Sequence, residues 1–225
     1  MRLRQITNQK SAINHSLNHS IARPLPFLFR DLPAAGRRPA IFLDRDGVIN
    51  ERIIDGYVTN WHEFRFIAGA EQALRDFARL RVPILVVSNQ SGVGRGQVTR
   101  SALEQITRRF AARVERRGAR IDGVYYCPHR PDEGCACRKP KPGLLLQAAK
   151  DWRIDLAASV MIGDAATDVQ AAQSAGCRSI LIDSGPVSTA PGVISLAELR
   201  FEPIVVPDLA QVPQLVARLL GRSLY

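Results

Sequence analysis

The 225-residue sequence predicts an α/β protein whose parallel sheet is covered by helices on both faces. Two observations support this fold class. Short, mostly apolar runs alternate with longer segments in which apolar residues recur at helical spacing. The runs are also too apolar for strands with one solvated face, which is typical of parallel strands buried on both sides. The predicted strands cover residues 40–43, 84–87, 124–126, 159–162, 179–182 and 204–206.

Capping residues and periodicity delimit the helices between these strands. Thr99 or Ser101 can accept hydrogen bonds from the first turn of the second helix, and Gly118 can end it. Gly176 ends the fourth helix in the same way. Residues 48–68 form a long connection without a clear period. Apolar periodicity predicts the remaining helices at residues 70–78, 142–150, 165–175 and 212–220.

Positive charge is concentrated at the start of the chain. The first 40 residues carry seven Lys or Arg and one acid, which is +6 of the total net charge of +10. We therefore predict a flexible basic extension over residues 1–38 and one domain over residues 39–225. The extension is rich in Asn, Ser, Arg and His, as organelle-targeting peptides are, so a targeting role and a plain extension both stay open.

The composition excludes several classes of protein. Hydrophobic residues make up 46% of the chain and charged residues 23%, which excludes overall disorder and a small disulfide-rich scaffold. No stretch approaches the ~18 apolar residues of a membrane-spanning helix. We expect a cytoplasmic monomer that has no membrane partner.

Two carboxylates follow the first predicted strand directly, in the segment Asp44-Arg45-Asp46-Gly47. Placing them at the end of a buried strand costs free energy unless a metal or a substrate compensates them. A divalent cation would hold Asp44 ionised as a ligand and nucleophile, while Asp46 could donate and recover a proton. A helix cap followed by a turn uses the same residue types, so this motif alone decides nothing.

Two further strand ends carry polar residues. Ser88 and the small residues after it suit binding of phosphate oxygens, although a glycine-rich turn would have the same composition. Asp164 ends the fourth strand and could complete a magnesium site with Asp44, because Mg²⁺ prefers oxygen ligands. Asp168, four residues later, either positions this site or caps its own helix.

Three thiols and one imidazole lie within eleven residues, at Cys127, His129, Cys135 and Cys137. Four such ligands match a closed, structural zinc site, here in a loop spanning 127–139. Disulfides and cysteines that are free by chance are the alternatives, and the reducing cytosol disfavours disulfides.

A basic segment follows this loop directly. The fork of donors on Arg138 suits an anionic substrate, and the point charge of Lys139 suits the phosphoryl group that is transferred. A solvated basic turn is the plainer alternative.

Taken together, Asp-x-Asp-Gly at 44–47, Ser88 and Gly-Asp-x-x-x-Asp at 163–168 resemble the haloacid dehalogenase superfamily of phosphotransferases. The order and spacing match over residues 40–183. The resemblance implies a Rossmann-like fold without a large cap domain, Mg²⁺, and an aspartyl-phosphate intermediate. It also implies that Mg²⁺ is held by the carboxylates of Asp44 and Asp164 and by the backbone carbonyl of Asp46.

The zinc loop with Cys-Arg-Lys-Pro resembles one branch of that superfamily, the D,D-heptose 1,7-bisphosphate and histidinol-phosphate phosphatases. The segments 55–58 and 89–96 look more like the heptose enzymes, since the histidinol-phosphate branch tends to carry an acid where this chain has Ser91. The implied substrate is a phosphorylated sugar. For the heptose enzymes it is D-glycero-D-manno-heptose 1,7-bisphosphate, which loses its 7-phosphate on the route to ADP-heptose and lipopolysaccharide.

The resemblance also assigns roles to residues of this chain. The implied catalytic residues are Asp44, Asp46, Ser88 and Lys139. The implied substrate contacts are Arg45, Asp55, Gly56, Tyr57, Asn89, Gln90, Ser91, Arg138 and Ala165. Two departures bear on the sugar: Ile53-Ile54 lengthens the connection before Asp55, and Ala165 stands where the heptose enzymes commonly have a Lys.

One rival function belongs to a different class. Six arginines crowd the second predicted helix and its end, which would suit nucleic-acid binding by a polynucleotide 3′-phosphatase. They are Arg108, Arg109, Arg113, Arg116, Arg117 and Arg120. No aromatic residues interleave with them for base stacking, and the chain after residue 40 carries only +4, so we do not expect a nucleic-acid partner.

Overall fold

A computed structural model of the protein describes residues 24–31, 36–183 and 202–224. Within these ranges the chain forms one seven-stranded sheet in the order β1-β4-β3-β2-β5-β6-β7. All neighbouring strands are parallel except β1 and β4, which are antiparallel. The strands are β1 Leu25–Leu28, β2 Ile41–Leu43, β3 Ile84–Asn89, β4 Gly123–Cys127, β5 Val160–Gly163, β6 Arg178–Ile182 and β7 Ile204–Val206.

Six α-helices connect the strands. They are α1 Ala70–Arg79, α2 Ser91–Gly94, α3 Arg100–Arg116, α4 Gly143–Trp152, α5 Ala166–Ser174 and α6 Val212–Leu219. Short 3-10 helices cover Trp61–Glu63, Pro131–Glu133 and Leu209–Gln211. The second predicted helix corresponds to α3. Of its two predicted caps, Thr99 is the one used, because its hydroxyl accepts a hydrogen bond from the backbone N–H of Ala102. In the part of the chain that the structure describes, no helix could span a membrane.

Alternation along the strands builds a core on each face of the sheet. Ile41 and Leu43 of β2 pack into the core that α1, α3 and α6 cover. Phe42, which lies between them, points to the opposite core under α4 and α5. Because both faces are covered, the strands must be apolar throughout, and the predicted α/β class is confirmed.

The first strand corrects the predicted boundary at residue 39. Leu25–Leu28 lies within the segment predicted as a flexible extension, but it pairs with β4 at the edge of the sheet. Next to this strand, the backbone N–H of Phe29 donates to the carbonyl of Asp122 at 3.0 Å. The sheet therefore begins at Leu25, fifteen residues before the first predicted strand. The rest of the predicted extension, at 1–23 and 32–35, lies outside the described residues.

The strand order sets the position of the site. From β2 the chain builds β3 and β4 on one side, and later β5, β6 and β7 on the other. The order therefore reverses at β2, and such a switch point opens a crevice at the carboxyl ends of the strands. The polar residues that follow β2, β3 and β5 all lie at this crevice.

Candidate active site

A cleft of about 310 Å³ lies at the switch point. The ends of β2 and β3 form its floor, and the 52–58 connection, the 138–139 segment and the start of α5 form its walls. Its lining residues are Asp44, Arg45, Asp46, Arg52, Ile53, Gly56, Tyr57, Val58, Ser88, Asn89, Gln90, Arg138, Lys139, Ala165, Ala166 and Thr167. Most of the residues implied by the motifs are thus brought together, although Asp55, Ser91 and Asp164 do not line the cleft.

Three carboxylates converge beside this cleft and form what we call the carboxylate cluster. One oxygen from each of Asp44, Asp164 and Asp168 lies within 4.8 Å of the others. Burial, together with the charges of Asp44 and Asp168, raises the pKa of Asp164 to about 7. The cluster therefore concentrates negative charge that the surrounding protein neutralises only in part.

Gly47 allows two parts of the cluster to approach each other. Its φ of +90° is a left-handed conformation that side chains disfavour. A Cβ atom at this position would also overlap the carboxylate of Asp164. The glycine after Asp46 is therefore needed for the contact between the β2 turn and the end of β5.

Lys139 supplies the positive charge of the cluster. Its side chain is buried, and its Nζ lies 3.1 Å from Asp44 Oδ1 and in contact with Asp168 Oδ1. Nζ also donates to the carbonyl of Val87 at 3.0 Å. Burial opposes its charge, but the carboxylates of Asp168 and Asp44 outweigh burial and raise the pKa of Lys139. Lys139 is therefore protonated and aimed at Asp44.

Asn89 fixes the backbone of Lys139 from the end of β3. Its Nδ2 donates to the carbonyl of Lys139 at 3.0 Å, and its Oδ1 accepts from the Lys139 N–H at 3.1 Å. Asn89 was predicted as a substrate contact. Asn89 lines the cleft, and both polar atoms of its side chain bind the backbone of Lys139, so it positions the lysine.

The sequence left two roles open for Asp168, positioning the site or capping its own helix, and in the structure it does both. One oxygen meets Lys139, and the other accepts from the N–H of Ala165 at 3.2 Å, just before α5. Its side chain is 1% exposed. The start of α5 and the side chain of Lys139 are thus held by the same carboxylate.

Asp46 lies in a hydrogen-bond network apart from the carboxylate cluster. Its carboxylate accepts from Arg45 Nη2 at 2.9 Å, Asn50 Nδ2 at 2.8 Å and Gln90 Nε2 at 2.7 Å. Burial opposes its ionisation, but Arg45 and the hydrogen bond from Asn50 lower the pKa of Asp46. Convergence of the side chains at 44, 46 and 164 was predicted. In the structure, Asp168 takes the place of Asp46 in that convergence.

The network includes two of the predicted substrate contacts, Arg45 and Gln90, which also line the cleft. The Arg45 side chain is 1% exposed; its guanidinium donates to Asp46 and lies over the ring of Tyr126. Gln90 donates to Asp46 as well, and more weakly to Ser88 Oγ at 3.3 Å. Both residues therefore hold the carboxylate of Asp46 in place.

The other predicted contacts divide between the cleft and its rim. Ser91 is buried, and its hydroxyl pairs with the hydroxyl of Tyr57 at 3.2 Å, so that it orients a cleft residue from behind. Asp55 is exposed and lines a neighbouring depression instead of the cleft. Arg138 lines the cleft, and its Nη1 donates to the carbonyl of His129 at 3.3 Å.

Arg52 is a cleft residue that the sequence did not predict. Its Nη2 lies 2.8 Å from both carboxylate oxygens of Asp164. It belongs to the long connection at 48–68, which has no period and no motif to single out one residue. The two-residue departure before Asp55 was the only sign that this wall of the cleft is built differently.

The predicted metal-binding thiols also come together, in what we call the Cys/His cluster. His129 Nδ1 lies 3.3 Å from Cys127 Sγ and 3.2 Å from Cys137 Sγ, and Cys135 Sγ lies 3.6 Å from both sulfurs. Ligands about 2.3 Å from a tetrahedral ion stand about 3.7 Å apart, so the four atoms fit one ion. Hydrogen bonds from Cys137 and His129 lower the pKa of Cys127 to about 5, which favours a thiolate.

Comparisons with known proteins bear on most of the chain. A family model described as HAD-hydrolase-like matches residues 136–212. The chain is 42% identical to the D-glycero-beta-D-manno-heptose-1,7-bisphosphate 7-phosphatase of Yersinia pestis, over 68% of this chain and 85% of that protein. It is 39% identical to the protein of the same name from Escherichia coli K12, over 80% of this chain and 94% of that one. The chain belongs to the HAD-like hydrolase family.

A solved structure supports the same assignment. The D,D-heptose 1,7-bisphosphate phosphatase of B. bronchiseptica, complexed with magnesium and phosphate, has a TM-score of 0.72 and 32% sequence identity to this HAD-like hydrolase. The match covers 80% of this chain and 98% of that chain. The family, the fold and the class of phosphoric monoester hydrolases predicted from the motifs are confirmed.

The carboxylate cluster of this HAD-like hydrolase fits a hard divalent cation. Its donors are oxygens, as Mg²⁺ requires, and the raised pKa of Asp164 reflects repulsion that a cation would relieve. The carbonyl oxygen of Asp46 accepts none of the backbone hydrogen bonds found among the described residues. This oxygen is therefore free to serve as a third ligand.

Proposed function

We propose that this HAD-like hydrolase is a Mg²⁺-dependent phosphatase that removes the 7-phosphate of D-glycero-beta-D-manno-heptose 1,7-bisphosphate. The observation that carries the proposal is the pairing of Asp44 with buried Lys139 at 3.1 Å, in a cleft beside two further carboxylates. A carboxylate next to a fixed cation suits attack on a phosphoryl group. The names of its relatives support the sugar.

The first half-reaction transfers the phosphoryl group to the enzyme. A carboxylate oxygen of Asp44 attacks phosphorus in line, the bond from phosphorus to the sugar oxygen breaks, and Asp46 gives that oxygen a proton. Entry of the dianionic phosphate favours the protonated form of Asp46, because a nearby negative charge raises the pKa of a carboxyl group. Lys139 and the Ser88 hydroxyl stabilise charge on the phosphoryl oxygens.

The second half-reaction releases phosphate. Asp46, now ionised and held by Arg45, takes a proton from a water molecule that attacks the aspartyl phosphate. The bond between phosphorus and the Asp44 oxygen breaks, and inorganic phosphate leaves with Asp44 regenerated. The hydrogen bonds from Asn50 and Gln90 keep the base in one orientation for this step.

The proposed metal ligands divide between the two clusters. Asp44, Asp164 and the backbone carbonyl of Asp46 would hold Mg²⁺, while Asp168 stays with Lys139. Bound there, the ion would supply positive charge to the phosphoryl oxygens. The Cys/His cluster would hold a structural Zn²⁺, since all four ligands come from the protein and leave no open position.

A nucleic-acid substrate finds less support in the charges around α3. Four of the six arginines that suggested it face acids: Arg113 and Arg117 meet Glu71, Arg108 meets Glu104, and Arg120 meets Asp122. Paired arginines present less free charge to phosphates than the sequence alone suggests. We therefore retain the 3′-phosphorylated oligonucleotide only as a comparison substrate.

Phosphate release from a panel of esters in the presence of Mg²⁺ tests the proposal. The panel contains heptose 1,7-bisphosphate, fructose 1,6-bisphosphate, histidinol phosphate and a 3′-phosphorylated oligonucleotide. We expect the heptose ester to have the highest kcat/KM, with one equivalent of phosphate released and the 1-phosphate retained. A higher kcat/KM for histidinol phosphate or the oligonucleotide would overturn the substrate assignment.

A further inference from the structure

The cleft holds more cationic side chains than a single reacting phosphate uses. Lys139 is buried and already faces Asp44 and Asp168, so it belongs to the reacting phosphoryl group. Arg52 and Arg138 also line the cleft. The Arg52 side chain is 41% exposed and can reach a ligand that enters from solvent.

The guanidinium of Arg52 has donors left over. Only its Nη2 takes part in the contacts found among the described residues, and both of these contacts are to Asp164. Asp164 is also a proposed Mg²⁺ ligand, so the ion and Arg52 compete for the same carboxylate. Metal binding would therefore weaken the hold of Asp164 on Arg52 within the cleft.

Among the described residues, the part of the cleft wall that follows Asp164 along the chain carries no cation of its own. Its lining residues after Asp164 are Ala165, Ala166 and Thr167, which are uncharged. A Lys at position 165 would point a cation into this region, but the methyl group of Ala165 cannot. A second anionic group on a substrate would thus meet Arg52 on this side of the cleft.

We propose that Arg52 binds the second, non-reacting phosphate of the substrate once Mg²⁺ occupies Asp164, and so sets the preference for a bisphosphate. Arg52 then supplies from the 48–68 connection the cation that Ala165 does not provide. The proposal rests on the proposed function, because it needs the reacting phosphate at Asp44. A guanidinium is suited to this task, since its planar fork can donate two hydrogen bonds to one phosphate.

The test compares two substrates that differ only in the second phosphate. We would measure kcat and KM for heptose 1,7-bisphosphate and heptose 7-phosphate at saturating Mg²⁺, in the wild type, Arg52→Gln and Arg65→Gln. Arg65 lies in the same connection and is exposed outside the cleft, so R65Q is the matched control. For R52Q we expect kcat/KM on the bisphosphate to fall about 10- to 100-fold, mostly through KM. On the monophosphate we expect less than a threefold change.

The outcomes separate this inference from the proposed function. If the wild type does not hydrolyse the bisphosphate, the proposed function fails. If it does, but R52Q loses equally on both substrates or on neither, only the role of Arg52 is overturned. Arg52→Lys should recover part of the lost preference, because it restores the charge without the fork.

Calorimetry gives a readout that does not depend on turnover. Without substrate, R52Q should bind Mg²⁺ about threefold or more tightly than the wild type, since Asp164 loses its competing cation. R65Q should match the wild type. An unchanged Mg²⁺ affinity in R52Q would overturn the proposed exchange of partners at Asp164.

Discussion

The two ligand clusters of this molecule differ in how completely the protein satisfies them. The Cys/His cluster is closed, because four side chains surround one point and Cys127, His129 and Cys137 are buried. The carboxylate cluster lies beside an open cleft, and within the described part of the chain its cationic partners are Lys139 and a half-exposed Arg52. A closed cluster can only hold its ion, whereas an open one can bring an ion and a substrate together.

The chain segment 137–139 links the Cys/His cluster to the carboxylate cluster. Cys137 belongs to the Cys/His cluster, and Lys139, two residues later, contacts Asp44 and Asp168 of the carboxylate cluster. Asn89 binds the backbone of Lys139 and completes the join from β3. A substitution that destabilises the Cys/His cluster should therefore also disturb the carboxylate cluster, because it displaces Lys139.

The largest effect is expected from a substitution that disrupts the carboxylate cluster alone. Asp44→Asn removes the nucleophile while it keeps the shape of the side chain, so kcat should fall at least about 1,000-fold. Phosphate release measures the activity, and thermal unfolding followed by circular dichroism should show a folded protein. Asp31→Asn is the control, because Asp31 is exposed and lies outside the cleft, and this variant should keep full activity. Turnover by D44N near the wild-type rate would rule out Asp44 as the nucleophile.

The next effect breaks the closed cluster. Cys137→Ala should abolish Zn²⁺ binding and lower the free energy of unfolding by several kcal/mol, because ion binding and folding are coupled. Activity should fall as well, since Lys139 loses its anchor. Metal analysis and chemical denaturation check both points. Cys177→Ala, at a thiol outside the cluster, should keep the metal content of the wild type. Full metal content in C137A would contradict a four-ligand site.

Acid should act on the open cluster first. The pKa of Asp164 is raised to about 7, so protons compete with Mg²⁺ as the pH falls through 7, and affinity should drop about fivefold between pH 7 and pH 6. The raised pKa also means that the metal-free protein binds more protons when folded than when unfolded. Its stability should therefore fall as the pH rises from about 4 to about 7. Mg²⁺ titrations and thermal unfolding across this range provide the measurement.

The increase in thermal stability given by Mg²⁺ offers a check on the same point. It should be larger at pH 8 than at pH 6, because Asp164 is ionised and repelled by its neighbours at the higher pH. Equal stabilisation at both pH values would mean that Asp164 is not a ligand.

The smallest effect is expected from a substitution at Asn89, which holds the segment between the two clusters. Asn89→Ala removes two hydrogen bonds to the backbone of Lys139, and kcat should fall about tenfold while the free energy of unfolding falls by about 1–2 kcal/mol. In the background of D44N the same substitution should cause no further loss of turnover. Asn60→Ala, at an exposed cap outside the cleft, is the control and should leave kcat unchanged. An effect of N89A on KM alone would indicate a substrate contact instead.

The sequence predicted the chemistry of the strand ends better than the directions of the side chains. An apolar run followed by an acid is a local pattern, so Asp44 and Asp164 could be placed at one edge of the sheet before the structure was known. The partner of Asn89 lies fifty residues away, at Lys139, and no local pattern predicts it. The hydrogen bonds that Asp46 accepts from Asn50 and Gln90 were not predicted either, because they too depend on the folded path of the chain.

The same limit explains the two missed features. Arg52 returns to the cleft from a connection without periodicity, and only the folded path of that connection brings it to Asp164. The strand Leu25–Leu28 acquires its structure by pairing with β4, about a hundred residues later. A four-residue apolar run has no distinctive signal until its partner is known.

That early strand has a practical consequence for shortened versions of the protein. β4 ends at Cys127, and β1 pairs antiparallel with the outer edge of β4 along residues 123–126. A polypeptide begun at residue 39 would leave the N–H and C=O groups of that edge without partners, ready to recruit the edge of another molecule. Shortened versions meant to remove only the basic segment should therefore begin upstream of Pro24, because a version without β1 is expected to self-associate.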